Sequence, residues 1–190
     1  RGAEAFRRAV DRLNATDALG LAEPLRVVIG LHSGLVMIGA VGSRERLDLS
    51  VVGDAVNLAS RLEGIAKVLG VEVIVADSVV SRLRPSTEVH LRALGPVQVY
   101  GRDGATVVHE LRLSGADGAP PPPDSPRFEA GLVAMRAQDW AKAAADFRAC
   151  LEGSPHDAAY GALAEMASMA QTYGQQALEK GGVRLVEALG

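Results

Sequence analysis

A run of four prolines at residues 120–123 divides the chain into two regions with different secondary-structure patterns. Consecutive prolines favour an extended, semi-rigid backbone, and glycine, aspartate and serine surround them. We therefore predict a linker over residues 114–126. The region before the linker, residues 1–113, is expected to mix strands with helices, and the region after it, residues 127–190, is expected to be helical.

The first region combines an amphipathic helical periodicity with short apolar runs that glycine and proline bound. The clearest helix is predicted from Asp54, as its cap, to Leu69, with Gly70 just beyond its end. The other predicted elements are helices over 3–15 and 78–83, strands over 25–31, 36–41, 47–52, 71–76, 88–100 and 105–113, and a hairpin turn at 43–46. Together they predict an α+β domain around one sheet.

The second region shows helical periodicity without strand signals. Gly131, Ala143, Phe147 and Pro155 have the spacing of a tetratricopeptide helix pair, in which small residues let two helices approach. The alternative is an alanine-rich helical hairpin that belongs to no repeat family. A single repeat cannot bury its own apolar face, so we expect this all-α tail to dock on residues 1–113 or on a partner protein.

Charge and cysteine content narrow the possible functions and compartments. Lysine and arginine total 20 against 23 acidic residues, which is too balanced for a nucleic-acid binder with a basic face. No apolar run approaches the ~18 residues that a membrane span needs. Cys150 is the only cysteine, so no internal disulfide can form, and we expect a small buried side chain and a reducing, cytoplasmic compartment.

Asn57 and Arg61 are the clearest candidates for chemistry. They lie four residues apart on the predicted helix and therefore share one flank, off its core face. An amide beside a guanidinium suits a ligand with hydroxyls and phosphates, and Ser50 ends the strand that leads into this helix. The alternative is that Arg61 pairs with a surface carboxylate and Asn57 binds a loop. The predicted core face consists of Leu58, Leu62, Ile65, Ala66 and Leu69.

Three segments resemble the catalytic domain of class III nucleotidyl cyclases. They are 29–34 (Ile-Gly-Leu-His-Ser-Gly), 39–43 (Gly-Ala-Val-Gly-Ser) and 52–63 (Val-Gly-Asp-Ala-Val-Asn-Leu-Ala-Ser-Arg-Leu-Glu). Leu94-Gly95, Gly101-Arg102 and the strand over 107–111 resemble the end of that domain. The resemblance covers residues 1–113 and corresponds to the C-terminal part of such a domain.

The resemblance implies a ferredoxin-like fold that dimerises head to tail, with active sites at the interface. It implies that the 3′-hydroxyl of ATP attacks the α-phosphorus to give 3′,5′-cyclic AMP and pyrophosphate, mainly through positioning and electrostatics. Mg²⁺ or Mn²⁺ is the implied cofactor, and its aspartate ligands are expected upstream of Arg1. The chain is therefore expected to be inactive alone, and to be cytoplasmic even where a membrane anchor precedes it.

Residue by residue, the resemblance implies that Asn57 orients the ribose and that Arg61 stabilises phosphate charge. It implies that Ser50 reads the purine, with Val51 and Arg102 as further substrate contacts. Serine at this position favours ATP, because its hydroxyl can donate to or accept from the adenine edge. Guanylate cyclases commonly carry cysteine there.

Tyr100 departs from the family pattern, because many relatives have a phosphate-binding lysine there and a phenol cannot supply that charge. Tyr100 favours one alternative, a degenerate, non-catalytic cyclase-homology module for regulation or dimerisation. A guanylate cyclase is a further alternative. Asp48 is interpreted as a strand or turn residue and Asp54 as a helix cap, rather than the two as metal ligands. His32 is interpreted as structural rather than catalytic.

Overall fold

A computed structural model describes residues 2–16, 20–42, 47–84, 90–99, 104–112, 126–173 and 183–185. Its helices are α1 (Gly2–Ala15), α2 (Asp54–Leu69), α3 (Asp77–Val80), α4 (Pro126–Arg136), α5 (Trp140–Gly153) and α6 (Ala158–Tyr173). Its strands are β1 (Ile29–Leu31), β2 (Met37–Gly42), β3 (Leu47–Val52), β4 (Val73–Ala76), β5 (His90–Val99), β6 (Ala105–Arg112) and β7 (Val183–Leu185). The fold is mixed α+β, as predicted.

The strands form two sheets instead of the single sheet that the sequence predicted. Five of them lie in the order β1-β4-β6-β5-β7, with β1 parallel to β4 and the other neighbours antiparallel. The other two, β2 and β3, pair antiparallel from Met37–Val52 to Gly42–Leu47. The single-sheet prediction was wrong because this hairpin pairs with itself, and within the described ranges it adds no strand to the larger sheet.

Helix α2 supplies a continuous apolar face to the core. All five residues of its predicted core face are buried, and the four residues of β4, which α2 contacts, are buried too. Full burial of an aliphatic side chain contributes about 1.5–3 kcal/mol. This burial fixes the rotation of the helix about its axis, so its opposite flank faces solvent.

Gly30 allows β1 and α2 to approach closely. A Cβ at Gly30 would collide with the carbonyl oxygen of Ala59 and would lie 2.6 Å from the backbone nitrogen of Glu63. Both are backbone atoms of α2, which cannot give way unless the whole helix moves. The glycine therefore sets the distance between the sheet and one turn of α2, the turn that contains Arg61.

The region after the proline run forms three helices that pack in sequence, α4 on α5 and α5 on α6. Gly131 of α4 lies against the ring of Phe147 on α5, where a Cβ would be 2.7 Å from a ring carbon. Cys150 is buried, as predicted. These helices agree with the helical part of the prediction, and their assignment as a tetratricopeptide-like unit stays a prediction.

The two regions share buried side chains. One continuous apolar cluster contains the core face of α2 together with residues of α4, α5 and α6, including Phe128, Phe147 and Leu163. Helix α6 contacts α2 directly. None of the described helices is both long enough and apolar enough to span a membrane.

Two predictions about the second region were wrong. The tail was expected to be all helix, but β7 pairs with residues Val97–Val99 of β5 and satisfies backbone groups that this edge would otherwise leave unpaired. Pro126 was assigned to the linker, yet it begins α4, where the missing N–H of a proline costs no helical hydrogen bond. The rest of the predicted linker, and the turn predicted at 43–46, lie outside the described residues.

Several predicted elements are shorter in the structure or less buried. Strand β1 has only three of the seven residues predicted over 25–31, and the helix predicted over 78–83 is the single turn α3. Helix α1 is amphipathic as predicted, but only Val10 of its apolar stripe is buried, and Phe6 and Leu13 are exposed.

Replacing Gly30 with alanine tests the close approach of β1 and α2. We expect Gly30→Ala to lower the free energy of unfolding by about 1–3 kcal/mol, because the new methyl group meets helix backbone. Chemical denaturation of the chain measures this. Gly39→Ala is the matched control, since a Cβ there meets nothing within 4 Å. Equal stability of the two variants would contradict the tight packing of β1 on α2.

Candidate active site

Asn57 and Arg61 both lie on the exposed flank of α2. Their sequence neighbours Leu58 and Leu62 are 1% and 0% exposed. Residues four apart on a helix lie one above the other, so the amide and the guanidinium share one surface. This placement agrees with the expectation that the pair lies off the core face. The roles of the two residues stay predictions.

The start of α2 differs in one detail from the prediction. Its N-cap is Gly53, and no side chain makes a capping hydrogen bond. The carbonyl of Gly53 accepts from the N–H groups of Val56 and Asn57, at 3.0 and 3.3 Å. Asp54 was predicted as the cap, but it is the first helical residue, where its carboxylate interacts favourably with the positive end of the helix dipole.

Ser50 and Val51 lie on β3 and face opposite sides of the hairpin. Consecutive side chains of a strand point to opposite faces. Ser50 pairs with Gly39 and is half-buried, whereas Val51 pairs with Ile38 and is exposed. The two side chains therefore cannot reach the same ligand. If Val51 contacts a substrate on the side of the hairpin that Ser50 faces, it must do so through its backbone. Arg102 and Tyr100 lie outside the described residues.

The described residues do not form a metal site. Within these ranges, no three or more histidine, cysteine, aspartate or glutamate side chains are grouped to hold an ion. Asp48 on β3 and Asp54 on α2 are both exposed. In the described part of the chain, no such ligand group is therefore available for the Mg²⁺ or Mn²⁺ that the cyclase resemblance implies.

His32 follows β1 and binds a residue of α3. Its Nδ1 lies 2.9 Å from the Oγ of Ser78, which also accepts the N–H of Ser33 at 3.3 Å. This contact joins the end of β1 to α3, which agrees with the structural interpretation of His32. Ser78 was not predicted, because a pairing across 46 residues leaves no local sequence pattern.

Arg92 was not predicted as a functional residue, and its side chain on β5 is only 2% exposed. Its guanidinium bonds Glu110, directly opposite on β6, and Asp157, which immediately precedes α6. Burial lowers the pKa of Arg92, but the two carboxylates outweigh burial and raise it above its usual value. Burial raises the pKa of Glu110 above its usual value, against the lowering effect of Arg92. Arg92 shares a strand face with buried Leu94. This two-residue spacing was the sequence signal from which the burial of Arg92 could have been predicted.

Residues 5–111 match the family model of the adenylate and guanylate cyclase catalytic domain. The chain is similar to an adenylate cyclase of Anabaena cylindrica, with 38% identity over 113 residues that cover 56% of this chain and 22% of that protein. It is 39% identical over 98 residues to adenylate cyclase 1 of Rhizobium meliloti (strain 1021), which covers 52% of this chain and 14% of that protein. Guanylate cyclase 2G of Mus musculus is 37% identical over 101 residues, 53% of this chain and 8% of that protein.

Solved structures similar to the chain include the guanylyl cyclase Cya2 and the adenylyl cyclase CyaB from P. aeruginosa. Their sequence identities are 26% and 24%, each with a TM-score of 0.47 over 60% of this chain and 56% of the other. The family match covers more than half of the chain, so the chain belongs to the adenylate and guanylate cyclase catalytic domain family. It spans about a fifth or less of the length of these curated relatives.

The exposure of Asn57 and Arg61 predicts that neither side chain is needed for folding. We expect Asn57→Ala and Arg61→Ala to change the free energy of unfolding by less than about 0.5 kcal/mol, as at ordinary surface positions. Leu62→Ala on the buried face of α2 should cost about 2–5 kcal/mol. Chemical denaturation of the three variants measures this. A large loss at position 57 or 61 would mean that these side chains are structural.

Proposed function

We propose that this chain is the C-terminal part of an adenylate cyclase catalytic domain, which converts ATP to 3′,5′-cyclic AMP and pyrophosphate. The observation that carries the proposal is the pair Asn57 and Arg61 on the solvent-facing flank of α2, in a chain of the cyclase family. A ligand can reach a polar pair on this flank from solvent. The relatives named adenylate cyclase support this choice.

In the proposed reaction the ribose 3′-oxygen attacks the α-phosphorus of ATP and releases its proton to solvent water. The bond from the α-phosphorus to the oxygen that bridges to the β-phosphate breaks, and pyrophosphate leaves. The Asn57 amide holds the ribose so that the attacking oxygen lies in line with the leaving group. The Arg61 guanidinium stabilises charge that builds up on the phosphates in the transition state. Mg²⁺ or Mn²⁺, the cofactor we propose, would need ligands from outside the described residues.

Ser50 supports ATP rather than GTP as the substrate. Its hydroxyl can both donate and accept a hydrogen bond, as the adenine edge requires. It is half-buried on β3, close in sequence to Gly53, the residue that precedes α2. Arg102 is proposed as a further phosphate contact. Guanylate cyclase activity is the alternative, and mouse guanylate cyclase 2G is among the similar proteins.

The hairpin β2–β3 supports a dimeric active site. Ile38, Leu49 and Val51 lie on one face of the hairpin and are 66%, 79% and 46% exposed. A contiguous exposed apolar surface commonly marks a protein–protein contact. We propose that a second copy of the catalytic domain covers this face in a head-to-tail dimer.

We also propose that the tail is tetratricopeptide-like and that the domain works in the cytoplasm.

A non-catalytic regulatory module is the second candidate function. Tyr100 favours it, because the position lacks the cationic side chain that many cyclases carry there. Such a module would keep the fold and the dimer contact but would not turn over ATP.

Turnover by the full-length protein that contains this chain tests the proposal. We expect cyclic AMP formation from ATP with Mg²⁺ or Mn²⁺, and we expect Asn57→Ala and Arg61→Ala each to lower kcat by about 10²-fold, because transition-state contacts are lost. Arg136→Ala, an exposed position on α4, is the control. Parallel assays with GTP separate the two cyclase activities. If both site variants retained full turnover, the site assignment would be wrong, and no turnover in any form would favour the regulatory module.

A further inference from the structure

The guanidinium of Arg92 connects the sheet to the helical tail. Its Nε donates to Glu110 Oε2 at 2.8 Å, within the sheet. Its two terminal nitrogens donate to the two carboxylate oxygens of Asp157, at 2.6 and 3.0 Å. This two-point contact is the strong, directional form of an arginine–carboxylate pair. It fixes both the distance and the orientation of the segment that begins α6.

Two aromatic rings from the tail enclose the same guanidinium. The Cζ of Arg92 lies 5.3 Å from the ring centre of Phe128 on α4 and 4.9 Å from that of Tyr160 on α6. A cation this close to aromatic faces is attracted to them, and more strongly when water is excluded. One side chain of β5 therefore contacts the beginnings of both α4 and α6.

Asp157 also caps helix α6. Its Oδ1 accepts the N–H groups of Ala159 and Tyr160, at 3.1 and 3.4 Å. The same carboxylate thus caps the start of the helix and holds the arginine. Any movement of the start of α6 away from the sheet would break the cap contact or the ion pair.

The first residue of α6 touches the end of α2. Gly70 ends α2 in the left-handed region with φ 69°, and a Cβ there would lie 2.6 Å from the Cβ of Ala158. Asp157 and Ala158 are adjacent. The ion pair between Arg92 and Asp157 therefore also keeps Ala158 in contact with Gly70. Helix α2 is continuous from Asp54 to Leu69, and it carries Asn57 and Arg61.

We propose that Arg92 and Asp157 are positioning residues for the cyclase site: they hold α6 against the C-terminal end of α2 and thereby fix the position of Asn57 and Arg61. This inference rests on the proposed function for its catalytic consequence. A displacement of about 1 Å in a positioned group can cost up to 10²-fold in rate. Arg61 is proposed to act in the transition state, so a shift of α2 lowers kcat and leaves KM for ATP nearly unchanged.

Asp157→Asn tests the inference, because asparagine caps a helix as well as aspartate does but lacks the charge that pairs with Arg92. The matched control is Asp139→Asn at the exposed N-cap of α5, where the Oδ1 of Asp139 accepts the N–H of Lys142. In this chain we expect hydrogen exchange measured by mass spectrometry to speed up over the last turns of α2, residues 62–70, in Asp157→Asn and not in the control. In the full-length protein we expect kcat to fall at least about fivefold, with KM within about twofold.

Ala158→Gly provides the second variant, because it removes the methyl group that meets Gly70 without leaving a buried charge unpaired. It should change exchange in α2 and kcat in the same direction as Asp157→Asn, and it carries the test if Asp157→Asn does not fold. Unchanged exchange over α2 would overturn the inference, and so would faster exchange with an unchanged kcat. A full-length protein whose kcat is insensitive to Asn57→Ala and Arg61→Ala would instead refute the proposed function.

Discussion

The relation between the two regions of this chain depends on one buried charge, the guanidinium of Arg92. Removal of a charged group from water costs several kcal/mol unless it is paired and hydrogen-bonded. Glu110 provides one partner within the sheet, and Asp157 provides the other from the helical region. If the helices separated from the sheet, Arg92 would lose the Asp157 carboxylate and both aromatic neighbours. The apolar cluster that α2 shares with α4–α6 adds to this linkage.

Helix α2 is the element on which the proposed chemistry depends, and glycines fix it along its length. Gly53 starts it directly after β3, Gly30 lets β1 approach its middle, and Gly70 ends it against α6. At each of these positions a side chain would meet a neighbouring segment at close range. Their common effect is to place the exposed flank with Asn57 and Arg61 relative to the sheet, which is what a positioning mechanism requires.

The elements that the sequence predicts best are those with strong local patterns. The C-terminal end of helix α2 was predicted correctly and its start to within one residue, because its apolar periodicity is long and glycines flank it. Both ends of β3 were predicted correctly. The hairpin of β2 and β3 was predicted, but its separation from the larger sheet and the existence of β7 were missed, since contacts distant in sequence decide which strands share a sheet. Arg92 was missed because its second partner lies 65 residues away, and a lone arginine in a strand is usually exposed. For the site, the periodicity of α2 predicted where Asn57 and Arg61 lie, whereas their roles came from family resemblance alone.

A double-mutant cycle between Arg92 and Asp157 tests the linkage most directly. Arg92→Met, Asp157→Leu and the combined variant are compared by chemical denaturation of this chain. We predict that each single change costs about 3–5 kcal/mol. Arg92→Met leaves the carboxylates of Glu110 and Asp157 without their shared partner, and Asp157→Leu leaves Arg92 with Glu110 alone and removes the cap of α6. The combined variant should then lose at least about 2 kcal/mol less than the sum of the two. Additive losses would contradict the account, since they would mean that the two side chains contribute independently and do not join the regions.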